Sequence, residues 1–289
     1  MQKLFNVNEA DYSASRRHLL LILVVAATLI LAEVMANFPD ISSPIERMEL
    51  AARDTSFRLR GKRIPEEDIV IVAIDDASLG WVDEHWPWPR RYLADIINWL
   101  NNAGARVIAL DVFLFDASPD PADDQALVEA LRNSRASVSV NQIFGIPTLM
   151  THEMPEDIYL DVLDGFGITE VKRDDDAIVR GISAYKSFRN ETYYNWAFEI
   201  ASLYLGVPSP SSPSAAGVEF NGEIVPLNNQ GVLLLNYAGP AKTYDTVSAA
   251  FVPLNDYPPE LFQNKIVLIG ASSETLQDIY PTPFSATNL

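Results

Sequence analysis

The sequence predicts an α/β protein in which a mostly parallel sheet is flanked by helices. Three continuous apolar runs carry this prediction, because such runs are typical of strands that are buried on both faces of a sheet. Apolar residues at helical spacing lie between the runs, and alternating strands and helices favour parallel pairing. The runs are IVIVAI (69–74), VIALDV (107–112) and IVLIG (266–270), with a weaker fourth over 136–140.

Ahead of this domain, residues 1–18 are predicted to be a cytoplasmic lead and residues 19–38 a transmembrane helix. The run LLLILVVAATLILA (19–32) has Thr28 as its only polar residue. Twenty helical residues reach across the ~30 Å of hydrocarbon in a bilayer, at about 1.5 Å for each residue.

The orientation of this helix follows from the basic residues beside it. Arg16 and Arg17 come just before the apolar run, so the positive-inside rule keeps the N-terminus in the cytoplasm and places residues 39–289 outside it. Two alternatives remain open. The run also fits a cleaved signal peptide that ends near Ala36, or an apolar helix buried in a protein core.

Residues 42–61 are predicted to form a juxtamembrane helix. Ser43 is the expected N-cap, Pro44 the first helical residue, and Glu46 follows three positions after the cap. Gly61 marks the end of the helix. Such a helix either transmits motion to the membrane or simply packs on the domain that follows it.

Residues 62–289 are expected to form the main domain, with residues 142–264 as an inserted α+β lobe. The lobe interrupts the alternation of strands and helices, and the strand at 266–270 must return to the first sheet. Within the lobe, an acidic turn over 174–176 is predicted to join two strands of a hairpin, since its contiguous carboxylates lack the spacing of a calcium loop. The other predicted elements are a helix over 196–204 and strands near 223–225 and 232–237.

Charge and composition exclude several classes of function. The chain has 21 basic and 39 acidic residues and a formal charge of −18, which argues against binding to nucleic acid. The absence of cysteine excludes disulfides, thiolate metal sites and cysteine nucleophiles. An acidic exported domain favours a cation, a change in protonation or a basic protein as its stimulus.

The candidate ligand-binding residues follow the predicted parallel strands, because ligands bind at the carboxyl ends of such strands. They are Asp75, Asp76, Asp111, Ser272 and Ser273. If Asp75 and Asp111 end neighbouring strands, their carboxylates face one crevice and suit Mg²⁺, Ca²⁺ or a cationic ligand. The alternative is that these residues cap helices or organise loops.

The segment Trp86-Pro87-Trp88-Pro89-Arg90 is the most distinctive local motif. Its prolines keep the chain extended, and Pro89 or Arg90 can open the helix behind it. The tryptophans either form a stacking wall for a ligand or plug the edge of the sheet. No phosphate-binding loop, paired histidines or nucleophile elbow is present, so no catalytic residue and no cofactor is expected in residues 1–289.

Taken in order, several segments resemble the CHASE-two domain, the second class of cyclase and histidine-kinase-associated extracellular sensor. The resemblance covers residues 54–285, and Ala177 departs from it because many relatives have glycine there. The matching segments are FRLRG (57–61), DIVIVAIDDASL (68–79), WPWPR (86–90), GARVIALDVFL (104–114), DDQALVEAL (123–131), NWAFEIASLYLG (195–206), VPLNNQGVLLLNYAGP (225–240) and ELFQNKIVLIGASSETLQDIYPTPFS (260–285).

The resemblance implies a bacterial receptor in the inner membrane, with residues 39–289 in the periplasm and an output domain outside residues 1–289. The expected output is a class III adenylate or guanylate cyclase, which uses ATP or GTP with Mg²⁺ and works as a homodimer. A Ser/Thr kinase, a histidine kinase or a diguanylate cyclase is the alternative. The expected stimulus is a small molecule, a cation or a protein.

Two functions other than that of a receptor also remain as hypotheses. One is an extracytoplasmic metal-dependent hydrolase that uses Asp75 and Asp111. The other is a purely structural dimerisation domain without a ligand.

Overall fold

A computed structural model of the chain describes residues 9–36, 44–146, 149–214, 216–228, 230–276 and 279–285. The chain divides into two compact units, Met1–Ser56 and Phe57–Leu289. The first unit contains α1 (Glu9–Ala36) and most of α2 (Pro44–Arg60). The second contains the last turn of α2 and every element after it.

The predicted transmembrane helix over 19–38 is not found. In the described part of the chain, no helix is both long and apolar enough to cross a membrane. Residues 37 and 38, like the predicted cap Ser43, lie outside the described ranges.

A mostly parallel sheet forms the centre of the second unit, as predicted. Its strands run in the order β13, β1, β14, β2, β3, and β4 and β5 both pair with β3. All pairings are parallel except that of β4 with the outer half of β3. The strands are β1 (Ile69–Ile74), β2 (Val107–Asp111), β3 (Ser137–Ile146), β4 (Leu149–Glu153), β5 (Gly165–Ile168), β13 (Asp245–Ser248) and β14 (Ile266–Ala271).

Helices cover both faces of this sheet, which explains why its strands are continuously apolar. On one face, α4 (Arg90–Ala103) and α5 (Pro121–Arg132) bury Leu93, Ile97 and Leu127 against alternate residues of the strands. On the other face, α7 (Trp196–Leu205) packs on the remaining residues. Two short helices, α3 (Asp76–Trp81) and α6 (Asp157–Leu160), and 3₁₀ turns at Ala249–Leu254, Pro259–Leu261 and Glu274–Leu276 complete the layers.

The segment 142–264 contributes to the central sheet as well as to a smaller lobe. Strands β5 and β13 both lie within it and both pair with strands of the main sheet. The predicted hairpin around the acidic turn forms from β6 (Val171–Arg173) and β7 (Val179–Ser183), and β12 (Val232–Leu234) extends it. Two further hairpins pair β8 (Tyr185–Phe188) with β9 (Glu191–Tyr194), and β10 (Val218–Phe220) with β11 (Glu223–Val225).

Candidate functional site

A large cleft of the second unit opens at the carboxyl ends of β2, β3 and β5. It has a volume of about 840 Å³, within the ~300–1,000 Å³ typical of small-molecule sites. Its walls come from the outer half of β3, the chain that leaves β5, the strand β6 and the start of the β2–α5 loop. Parallel sheets bind ligands at this edge, so the position of the cleft marks it as the candidate site.

Cationic side chains line the cleft on the side of the hairpin. Lys172 and Arg173 lie at the end of β6, and Lys186 lies on β8. The Lys186 ammonium pairs with Glu170 at 3.0 Å and donates to the Ile143 carbonyl at 2.7 Å. Glu170 also accepts from the Ser183 hydroxyl at 2.7 Å. Lys186 therefore ties the hairpin lobe to β3 and offsets the charge of Glu170.

Arg173 links the cleft to the C-terminal segment, residues 279–285. Its guanidinium carbon lies 4.7 Å from the centre of the Tyr280 ring, and both residues line the cleft. One residue further on, the Pro281 carbonyl accepts from the backbone N–H of Val179 at 2.9 Å. The C-terminal segment is thus held against β7 directly beside the candidate site.

The last turn of α2 reaches the same part of the second unit. The ring of Phe57 lies 6.2 Å from Tyr237, edge to face, and 6.1 Å from Phe284 of the C-terminal segment. Arg60 donates to the side chain of Asn236 at 2.6 Å and to the Tyr237 carbonyl. The last turn of α2 and the C-terminal segment therefore meet on one aromatic cluster, close to the hairpin that carries Arg173.

Arg90 of the Trp-Pro motif positions another wall of the cleft. Its guanidinium donates to the backbone carbonyls of Phe113 at 3.0 Å and Asp116 at 3.1 Å. Phe113 lines the cleft, is 54% exposed as a residue, and stacks on Phe115 at 4.8 Å between ring centres. The motif thus fixes the β2–α5 loop through its arginine.

The predicted ligand residues Asp75 and Asp76 form a separate cluster at the end of β1. Asp75 is the N-cap of α3: its carboxylate accepts from the Ser78 amide at 2.8 Å and from the Ser248 hydroxyl. Burial by itself raises the pKa of Asp75, but these hydrogen bonds outweigh it and hold the pKa below its ordinary value. Asp76 accepts from Ser273, so the carboxylates tie β1 to β13 and to the end of β14.

The premise that Asp75 and Asp111 end neighbouring strands is wrong. Strand β14 lies between β1 and β2, so the two carboxylates do not share a crevice. Asp111 lies instead in the wall of the large cleft, opposite Gly270, where a Cβ would come within 3.1 Å of the Asp111 Cβ. Across the described ranges, no group of three or more histidine, cysteine or acidic side chains is arranged to hold a metal ion.

The other predicted residues lie outside the cleft. Trp88 is 5% exposed and belongs to the core under α4, and Trp86 packs edge to face on it at 5.4 Å. The hydroxyl of Ser273 is buried in its bond to Asp76, while Ser272 is exposed and its backbone N–H donates to the Ile74 carbonyl at 3.1 Å. These contacts fit the structural alternatives to ligand binding. The two tryptophans pack as a plug on the sheet, and the two serines organise loops.

The sequence did not predict the residues that give the cleft its positive charge and one of its aromatic walls. Lys172, Arg173, Lys186 and Tyr280 are scattered over more than a hundred positions and form no motif. The one available signal was the pair of cations directly ahead of the acidic turn, which is unusual in so acidic a chain.

Comparison with known proteins agrees with the ordered motifs. A family model described as the CHASE2 domain matches residues 21–289, nearly the whole chain. No curated protein and no solved structure shows a significant match. The chain therefore belongs to the CHASE2 family, the extracellular sensor domains of signalling receptors.

Proposed function

We propose that this domain is the periplasmic sensor of a bacterial inner-membrane receptor and regulates a cytoplasmic class III nucleotide cyclase. One observation carries the proposal: the ring of Phe57, in the last turn of α2, packs on Tyr237 and also on Phe284 of the C-terminal segment. The same segment carries Tyr280 into the wall of the cleft. A ligand that moves Tyr280 therefore acts on both connections of the domain through contiguous contacts.

The test of regulation uses the full-length receptor in membranes of a cell that lacks its own cyclase. Formation of cyclic AMP or cyclic GMP from ATP or GTP with Mg²⁺ is measured for the wild type and for Phe284→Ala. We expect the substitution to change the basal rate by about fivefold or more, the scale of ordinary allosteric coupling. Leu59→Ala is the matched control, because Leu59 lies in the same turn as Phe57 and is 84% exposed.

Two results would contradict this proposal in different ways. Equal rates of cyclic nucleotide formation for the wild type and Phe284→Ala would show that the sensor does not regulate the output. Failure to form either cyclic nucleotide would reject the cyclase and direct the assay to the alternative outputs, a Ser/Thr kinase, a histidine kinase or a diguanylate cyclase.

The proposed location is tested independently of the output. Alkaline phosphatase folds into an active enzyme only outside the cytoplasm, because it needs disulfides. A fusion after residue 285 should therefore be active in cells, and a fusion at residue 8 inactive. The reverse pattern would show that the domain is cytoplasmic.

We propose further that the receptor acts as a homodimer, as class III cyclases form their active sites between two copies. The chain has no cysteine, so Leu59→Cys introduces the only thiol into an exposed position near the end of α2. Oxidation should yield a covalent dimer on a non-reducing gel. The wild type is the negative control. A monomer band alone, with cysteine tried at each of the exposed positions 55, 56, 58 and 59, would argue against a dimer through this helix.

A further inference from the structure

The large cleft has a local charge opposite to that of the protein. The chain carries a formal charge of −18, yet the ionisable lining residues are Lys172, Arg173 and Lys186 against Asp111 and Glu170. Glu170 is paired with Lys186 at 3.0 Å. Because salt screens distant charges over about 8–10 Å, the side chains in the cleft decide which ligand charge it accepts.

We propose that this cleft binds a small organic anion with an apolar or aromatic body, and that Lys172 and Arg173 hold its carboxylate or phosphate group. The inference rests on the proposed sensor function and names the chemical class of the stimulus. It replaces the expectation of a cationic stimulus, which followed from the average charge of the domain.

The two cations lie on a stretch of chain that borders the cleft throughout. Residues 168–173 all line the cleft, from the end of β5 to the end of β6. The pairing of β6 with β7 also shifts register between Lys172 and Arg173, and such a bulge changes the direction of a side chain. Lys172 and Arg173 therefore both border the cleft, although they are adjacent in sequence.

Arg173 brings a planar cationic group to the wall of the cleft. Its guanidinium carbon lies 4.7 Å from the centre of the Tyr280 ring, a distance at which the ring face attracts a cation. A guanidinium carries its N–H donors in one plane, in the fork that matches two oxygens of a carboxylate or phosphate. Lys172 adds a second positive charge beside this fork.

The rest of the cleft suits an apolar body rather than a bare ion. Phe113 and Phe144 line the cleft and are 54% and 42% exposed. Exposed aromatic rings at a concave site are typical of ligand contacts, since a ligand removes their faces from water. A volume of about 840 Å³ also leaves room for far more than an inorganic anion.

An isosteric series tests the charge preference on the purified 289-residue chain by calorimetric titration. Benzoate, benzamide and benzamidinium have nearly the same shape and differ in charge. Phenyl phosphate tests the alternative anionic group, and inorganic phosphate lacks the apolar body. We expect benzoate or phenyl phosphate to bind at least about tenfold more tightly than benzamide, with benzamidinium and inorganic phosphate weaker still.

Variants assign the preference to this cleft. Arg173→Gln should weaken benzoate or phenyl phosphate about tenfold and change benzamide by less than about twofold, because only the ionic contact is lost. Lys172→Gln should also weaken the binding of benzoate or phenyl phosphate. It provides a second test if circular dichroism shows that Arg173→Gln folds poorly. The matched control is Arg132→Gln, which removes one exposed cation at the end of α5, before the amino end of β3.

The outcomes separate this inference from the proposed function. Tighter binding of benzamidinium, equal binding of the three isosteres, or no binding of any probe would overturn the anion assignment and leave the receptor assay untouched. A loss of affinity in Arg132→Gln equal to that in Arg173→Gln would show that the anions bind elsewhere. A receptor without cyclase output would reject the proposed output while the binding result stands.

Discussion

The ring of Phe57 lies 6.1 Å from the ring of Phe284, although the two residues are separated by almost the whole second unit. Tyr237 also packs edge to face on Phe57, at 6.2 Å. The last turn of α2 and the C-terminal segment are therefore joined by side-chain packing.

Truncation of this cluster should lower stability. Phe57 is buried, so Phe57→Ala is expected to reduce the free energy of unfolding by about 3 kcal/mol. The exposed neighbour Leu59→Ala should change it by no more than about 0.5 kcal/mol. A double-mutant cycle with Phe284→Ala, measured by denaturant titration, should give a coupling energy of about 1 kcal/mol. Additive losses would show that the two rings are energetically independent.

Ala177→Gly should stabilise the acidic hairpin. Ala177 has φ +64°, a left-handed conformation that glycine adopts at lower cost than alanine. The gain in the free energy of unfolding is expected to be about 1 kcal/mol, seen as a higher melting temperature. The same change inside a helix, Ala126→Gly in α5, should instead cost about 1 kcal/mol. Destabilisation by Ala177→Gly would contradict the turn geometry.

Asp176 should make the hairpin sensitive to acid. The buried Arg180 guanidinium donates to Asp176 at 2.7 Å and 2.9 Å, and this hydrogen bond holds the pKa of Asp176 below its ordinary value. The stabilisation is complete above the unfolded pKa of about 3.9 and is lost as the pH falls through the lower folded pKa. Asp176→Asn should therefore flatten the pH dependence of the melting temperature below about pH 4.

This substitution should also cost about 1 kcal/mol at neutral pH. Asp95→Asn, on the exposed face of α4, provides the control for loss of one negative charge. If the melting temperatures of Asp176→Asn and Asp95→Asn fall with pH in the same way as that of the wild type, the Arg180 bond does not contribute to acid sensitivity.

A buried hydrogen bond beneath α5 should contribute measurably to stability. The Tyr159 hydroxyl donates to Asp124 at 2.5 Å, and both side chains are buried. Burial, followed by this hydrogen bond, raises the pKa of Tyr159, so the phenol stays protonated and remains a donor. Tyr159→Phe leaves the carboxylate without this donor and should cost about 1–2 kcal/mol in chemical denaturation.

The control for this prediction is another tyrosine bonded to a carboxylate. Tyr193 donates to Glu191 at 2.5 Å in an exposed hydrogen bond, where water replaces the lost partner. Tyr193→Phe should therefore cost no more than about 0.5 kcal/mol. Equal costs for the two substitutions would contradict the role given to burial.

Local patterns in the sequence were sufficient for most of the secondary structure. The runs at 69–74, 107–112 and 266–270 form β1, β2 and β14 almost to the residue, because a strand buried on both faces must be continuously apolar. Gly61 follows the last residue of α2, as predicted, with φ +72°, the left-handed conformation typical of a glycine after a helix. The order of the motifs also sufficed to identify the family.

The order of the strands and the composition of the cleft were decided only by the tertiary structure. Insertion of β14 between β1 and β2 separates Asp75 from Asp111, and no local pattern encodes which strand inserts where. The cleft joins Lys172, Lys186 and Tyr280 through long-range pairing and a register shift. Periodicity reports how one element is buried, whereas a binding site depends on which distant elements meet, and that is settled by packing of the whole domain.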